Sequence, residues 1–364
     1  MQESVEYRKF AMMPEAREGF RQQGYDYSFS WFPHWGCCFG QKRRPDGTVT
    51  SGCTYCGSSN VHYGIMHGPE GGSMHGEFRE QPRTGVSAED WIRAFDRIPG
   101  SALIDVSGGE PMEFPPLLKI MTKTSPRHIW GITSNLKHQR VVRRFVEEVG
   151  PLRCPCVTAS CHPLADLDHT RGPFLEHVRW FRDTGYHVSV NFVLFPGQLH
   201  LLREFWDRVT VDLRVAMFLE PYSGGATEPF MGYTDDEIKL IEEVARRQKD
   251  ANLPARLVRR NMVREHARDQ ASRIPFPPRW CNAGVSRMWI APDGTVYPCN
   301  TLYMGHRAAE AMGNFLESDF RLLPGFRVCA LPCECGGDRA TVAFVPLSKT
   351  DEGNIVHGLV AVGA

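Results

Sequence analysis

A sulfur-rich run near the start of the chain limits what it can fold into more than any other feature. Between Trp35 and Gly57 the sequence reads WGCCFGQKRRPDGTVTSGCTYCG, which places Cys37, Cys38, Cys53 and Cys56 within one short stretch. Cys53-Thr-Tyr-Cys56 is a C-x2-C pair, a spacing that turns two thiolates onto one metal centre. A third thiolate comes from Cys38 (C-x14-C-x2-C) or from Cys37 (C-x15-C-x2-C). Adjacent side chains point apart, so one of the two is expected to be the ligand. A C-x2-C pair by itself also describes a zinc knuckle. The reading changes with Leu103-Ile-Asp-Val-Ser-Gly-Gly-Glu-Pro111, an apolar strand that stops at two glycines, a carboxylate and a proline. Glycines at a strand end let backbone close on a ligand, because no β-carbon stands in the way. Glu110 then offers an acceptor to a cationic group.

Three thiolates followed by Gly-Gly-Glu-Pro resemble the radical S-adenosylmethionine (SAM) superfamily. Tyr55, directly before the last cysteine, stands where that family usually has an aromatic residue. The long gap between the first and second cysteines departs from the family norm of three residues. An enlarged loop of this kind occurs in some members of the radical SAM enzyme that makes a carboxylated deazaguanine. Those are shorter and lack the cysteine-rich tail found here. The insertion Gln41-Lys-Arg-Arg-Pro-Asp-Gly-Thr48 reads as a hairpin with Asp46-Gly47 at its tip.

The resemblance implies a [4Fe–4S] cluster on three cysteines, with SAM bound through its amino and carboxylate groups to the open iron. It implies SAM contacts from Gly108, Gly109, Glu110 and Pro111, then from Ser134 and Asn135, from Ser160 and from Asn191, all at successive strand ends. His162, Glu220 and Tyr222 are expected to face substrate. No residue is assigned a catalytic role. The chemistry implied is reductive cleavage of SAM to a 5′-deoxyadenosyl radical, which takes hydrogen from an unactivated carbon. A flavodoxin- or ferredoxin-type protein would donate the electron.

Beyond residue 85 the apolar pattern alternates between strand and helix. Strands are expected at 103–107, 128–135, 154–161, 187–194 and 213–219, after a first strand within 25–35. Helices are expected from Ser87, with a capping box closed by Asp90, and at 140–149, 173–183, 201–209 and 234–247, the last capped by Thr234 and Glu237. This is βαβ repetition around a parallel sheet. About six units are present, fewer than a closed TIM barrel holds. The fold class is therefore α/β, a partial (β/α)6 barrel of the radical SAM type with a small C-terminal α+β cysteine-rich domain. The domain limits expected are a leading segment (1–30), the barrel (31–222), a helical linker (223–278), the cysteine-rich domain (279–340) and a tail (341–364). The Gly-, His- and Met-rich stretch 60–85 reads as a loop. Cys154, Cys156 and Cys161 read as inert core residues.

The second sulfur group lies at Cys281, Cys299, Cys329, Cys333 and Cys335. Met288-Trp-Ile, the turn Pro-Asp-Gly294 and Thr-Val-Tyr297 form a hairpin that brings Cys281 and Cys299 together. The C-x12-G-x4-C spacing through Gly294 resembles the opening of the SPASM and twitch extensions of radical SAM enzymes. Five cysteines suffice for one auxiliary [4Fe–4S] cluster, completed by two of Cys329, Cys333 and Cys335. A zinc ribbon satisfies the same count.

Charge narrows the partners. Lys+Arg and Asp+Glu balance at 42 each, so nothing pulls the chain as a whole toward nucleic acid or a membrane. No apolar export signal or spanning segment is evident in the sequence, and twelve cysteines without one suit a cytoplasmic metalloprotein. The short stretch before Trp35 leaves no evident room for a peptide-recognition module. That favours a small-molecule substrate over the alternative, a peptide-modifying maturase. A second alternative is a non-catalytic zinc-binding protein.

Overall fold

The computed structural model describes residues 25–34, 37–39, 53, 86–220, 222, 232–250, 279–299, 302, 311–329 and 344–346. Six strands follow one another in the sheet in chain order. They are β1 (Tyr27–Trp31), β2 (Ala102–Val106), β3 (Ile129–Ser134), β4 (Cys156–Cys161), β5 (His187–Val193) and β6 (Ala216–Glu220). Each pairs parallel with the next. Helices α1 (Ala88–Asp96), α2 (Leu117–Lys123), α3 (Gln139–Glu148), α4 (Leu167–Arg171), α5 (Pro173–Asp183) and α6 (Leu202–Trp206) make the crossovers. α7 (Asp235–Asp250) follows the sixth strand.

Local chemistry sets the helix starts. Ser87 accepts from Asp90 N–H while the Asp90 carboxylate accepts from Ser87 N–H, the expected capping box. Thr234 and Glu237 close α7 in the same way. On α5 the four residues expected inward, Phe174, Leu175, Val178 and Phe181, are all buried.

Side chains alternate along the strands. Phe29, Trp31, Ile104, Val106, Trp130, Ile132 and Phe192 face the helices and are buried. Trp31 sits at the centre of this layer, with ring centroids 5.0 Å from Trp91, 5.3 Å from Phe95 and 6.0 Å from Trp130. Burying aromatic rings of this size contributes roughly 2–3 kcal/mol each.

Four features depart from the sequence reading. Helices α2 and α4 are additional; both are too short for a helical period to stand out. Strand β6 begins at Ala216, not at 213, because Arg214 takes a left-handed conformation (φ 53°) that breaks extension. Cys156 is exposed at the start of β4, whereas Cys154 and Cys161 are buried as expected. Lastly, the hairpin of β8 (Arg287–Ile290) and β9 (Val296–Tyr297) joins the main sheet, with β8 pairing parallel to β1. A separate three-stranded sheet, β10 (Arg327–Cys329), β7 (Arg279–Cys281) and β11 (Phe344–Pro346), carries part of the second sulfur group. Among the described residues, no helix is long and apolar enough to cross a membrane.

His128, fully buried just before β3, gives the fold a pH dependence. Its Nδ1 has no hydrogen-bond partner, and burial together with the Arg127 charge pushes its pKa down to about 4. A base with a depressed pKa in the folded state stabilises fully above its free value near 6.5, and that stability is lost as pH falls through about 4. We expect urea midpoints to fall across this window. His128→Phe should reduce the loss by on the order of 2 kcal/mol, read as a smaller difference in midpoint between pH 7 and pH 4.5.

Candidate metal and cofactor site

The carboxyl ends of β1 and β2 are tied together by the loops that leave them. Ser107 N–H donates to Trp31 O (3.0 Å), Gly109 N–H donates to His34 O (3.1 Å), and His34 Nε2 lies 2.6 Å from Glu110 O. Gly108 makes this closeness feasible. Its φ is +115°, and a β-carbon there would stand 2.8 Å from the His34 carbonyl oxygen. The chain leaving β1 is thereby held against the Gly-Gly-Glu-Pro turn just before it reaches Cys37 and Cys38.

Glu110 is only 1% exposed. Its Oε1 accepts from Ser134 Oγ (2.7 Å) and Met112 N–H (3.0 Å), and its Oε2 accepts from Asn135 N–H (2.7 Å). Burial drives its pKa up to about 7 even against these three donors, with the nearby Cys38 adding to the rise. The carboxylate thus clamps the end of β2 to the end of β3. Ser134 is engaged on both sides, donating to Glu110 and accepting from Leu136 N–H (3.0 Å). Pro111 is buried in the short 3-10 turn that follows Glu110.

Cys37, Cys38 and Cys53 gather in one small cluster with Phe39, Val193, Phe195 and Tyr222. Cys53 N–H donates to Phe39 O (2.9 Å), which closes the base of the long insertion and returns the chain to the first two cysteines. The hairpin expected for 41–48 lies outside the described residues, as do Tyr55, Cys56, the loop 60–85 and residues 251–278 of the expected linker. Asn135 Nδ2 is 3.4 Å from Cys38 Sγ and 3.7 Å from Cys37 Sγ. The Cys37 thiol donates to Cys38, which raises its own pKa and, with His138, lowers that of Cys38 to about 6. His138 in turn is pushed up to about 10 by Cys38 and Glu113, whose Oε1 is 2.9 Å away. Cys38, Glu113 and His138 place ligand-type atoms within 4.8 Å of one another. Sequence reasoning missed Glu113 and His138. Their only signal was position, each lying two or three residues beyond a predicted SAM contact.

Ser160 and Asn191 stand side by side in register on β4 and β5. Asn191 Oδ1 is buried with no hydrogen-bond partner, an acceptor aligned with the strand ends above. His162 packs its ring 5.9 Å from that of Phe39, and Tyr222 packs against the cysteine cluster. Glu220 ends β6, beside Val193 of β5. This donor set fits an iron–sulfur cluster: the buried Cys53 and the half-buried Cys37 and Cys38 gather together, and a neutral amide donates toward two of the sulfurs.

No protein-family model matches the sequence, and no curated protein matches it either. Solved structures do. SuiB of Streptococcus suis bound to S-adenosylmethionine aligns with a TM-score of 0.52 at 15% identity, over 84% of this chain and 67% of that chain. A second SuiB crystal structure gives 0.51 at 14% identity, over 83% and 68%. SuiB bound to its precursor peptide SuiA gives 0.49 at 14% identity, over 84% and 66%. The chain shares the fold of SuiB. Within that fold the carboxyl ends of the strands are where Gly108–Pro111 and the first cysteines meet.

The second sulfur group is partly assembled. Cys281 on β7 and Cys299 after β9 are buried, and Cys329 lies on the paired strand β10. Burial pushes the Cys281 thiol up to about 12, with Cys329 and Cys299 adding as like neighbours. The turn closes as expected at Gly294, whose φ is +76°. Cys333 and Cys335 lie outside the described residues.

Gly108→Ala should dislodge the His34 segment, since both the positive φ and the 2.8 Å approach oppose a methyl group. We expect a loss of about 1–3 kcal/mol in urea denaturation. Faster labelling of Cys37 and Cys38 by a thiol reagent should accompany it.

Proposed function

We propose that the protein is a radical SAM enzyme that modifies a peptide. The observation that carries the reading is the meeting of Cys37, Cys38 and Cys53 with the Gly108–Glu110 turn at the strand ends of the fold shared with SuiB. Cys53, Cys56 and one of Cys37 and Cys38 hold a [4Fe–4S] cluster in this proposal. When bound, that cluster supplies the electron that cleaves SAM to methionine and a 5′-deoxyadenosyl radical, which removes hydrogen from the substrate.

The residues of the chain orient and enclose. Gly108 and Gly109 bring bare backbone to the SAM amino group. The orphaned Asn191 Oδ1 accepts from a ribose hydroxyl of SAM, and the Ser160 hydroxyl receives its ribose or carboxylate. Pro111 stiffens the turn. Phe39, Phe195 and Tyr222 pack around the cysteines and keep water away. Cys281, Cys299 and Cys329, with one of Cys333 and Cys335, hold an auxiliary cluster that assists oxidation or substrate binding. A flavodoxin- or ferredoxin-type donor provides the electron.

The peptide assignment replaces the small molecule favoured by sequence. That preference rested on the stretch before Trp35, most of which lies outside the described residues, and the fold comparison lends it no support. SuiB, whose fold this chain shares, has been solved with a precursor peptide.

Anaerobic reconstitution followed by iron and sulfide analysis tests the reading. About eight irons per chain are expected for two four-iron clusters, with deoxyadenosine formed from SAM under a strong reductant. Cys53→Ala should abolish SAM cleavage, whereas Cys281→Ala should halve the iron and leave uncoupled cleavage. A short peptide encoded beside the protein should change mass on turnover. Zinc in place of iron, with no deoxyadenosine, overturns the proposal.

A further inference from the structure

Asn135 is 3% exposed, and its hydrogen-bonding groups are accounted for one by one. Its backbone N–H donates to Glu110 Oε2 (2.7 Å), and its carbonyl oxygen faces His169 Nε2 (3.2 Å). The side-chain Oδ1 accepts from Lys137 N–H (2.9 Å). This last bond decides which way the amide points, because only an oxygen can meet a backbone N–H. The Nδ2 amino group is therefore turned the other way, toward Cys38 Sγ at 3.4 Å and Cys37 Sγ at 3.7 Å.

The backbone is bent to keep it there. Leu136 takes a left-handed conformation (φ 54°), uncommon for a residue with a branched side chain. Ser134 Oγ receives Leu136 N–H (3.0 Å), and the Leu136 carbonyl lies 2.9 Å from His177 Nδ1. Strain of this kind persists where surrounding bonds over-determine it. Here those bonds fix a residue whose Nδ2 donor faces the cysteines.

A hydrogen bond to a ligating sulfur draws negative charge off a cluster and so favours its reduced form. We propose that Asn135 is a positioning residue that sets the reduction potential of the N-terminal cluster through N–H···S bonding to its first cysteine ligand. The inference rests on the proposed cluster at Cys37 or Cys38 with Cys53 and Cys56. It needs no titrating group, since an amide is neutral throughout.

The experiment is a redox titration of the full-length reconstituted protein, followed by the electron paramagnetic resonance signal that changes on adding SAM. Asn135→Ala removes the donor, and Asn135→Asp places an acceptor of the same shape against the sulfurs. With iron per chain unchanged, both variants should shift the potential to more negative values, Asn135→Asp the further. Unmoved potentials in both would overturn the proposal. Should either variant fail to load iron, wild-type protein carrying 15N in its asparagine amides decides. A 15N hyperfine coupling to the reduced cluster supports the assignment, and its absence overturns it. A wild type without any iron–sulfur cluster defeats the proposed function itself. A normal cluster with an unmoved potential defeats only the role of Asn135.

Discussion

The site depends on a carboxylate held where water cannot reach it. Moving a carboxylate into the interior costs several kcal/mol unless donors replace its hydration. Glu110 has three, drawn from Met112 on its own turn and from Ser134 and Asn135 on the next strand. Charge-assisted bonds of this kind are roughly twice as strong as neutral ones, yet the raised pKa shows that they do not fully offset the burial. The consequence is geometric. Two strand ends whose mutual pairing stops at Val106 and Ile132 are fastened by one side chain, and the same residue's carbonyl reaches His34 on the loop that leads to the cysteines. Removing the carboxylate would release the Gly-Gly-Glu-Pro turn from the end of β3.

The second module is fastened to the same sheet by different means. Strand β8 continues the parallel sheet from β1, and Arg287 reaches back to Ser28 and Ser30 with its guanidinium 4.5 Å over the Trp289 ring. Phe315 enters the aromatic layer 5.0 Å from Phe95, and Arg97 donates to the carbonyls of Phe315 and Glu317. The two sulfur groups therefore share a rigid element. Cys37 and Cys38 lie past the carboxyl end of β1. Cys281 and Cys299 flank the amino end of β8, which is also the amino end of β1. A five-residue strand, about 17 Å, lies between them.

Much of this was legible in the sequence because it is local. Capping boxes at Ser87 and Thr234, the Asp293-Gly294 turn and the strand-helix alternation are each written within a few residues. The parallel pairing of β8 with β1 joins residues some 259 positions apart and leaves no local trace. Within the site, the strand-end glycines and the gathered cysteines were readable as types. The direction in which Glu110 points was not, since the same carboxylate serves a ligand or its own chain depending on donors contributed by Ser134 and Asn135. Cys156 shows a similar limit. It shares its strand with Cys161, but its place at the open end of β4 leaves it exposed.

The face of the sheet turned away from the helix-facing aromatic and aliphatic residues is mixed: Ser28, Ser30, Asp105, Thr158, Ser189, Arg287 and Glu220 share it with Leu103, Ile129, Phe218 and Trp289. Gly131 belongs to this arrangement. A β-carbon there would stand 2.5 Å from Asp105 Oδ1, so its absence lets the carboxylate lie across β3. Arg287 reaches Ser28, Ser30 and Asp105, and Ser189 Oγ lies 3.5 Å from Thr158 Oγ1, so these polar groups satisfy one another across the strands and fix the arrangement of the face.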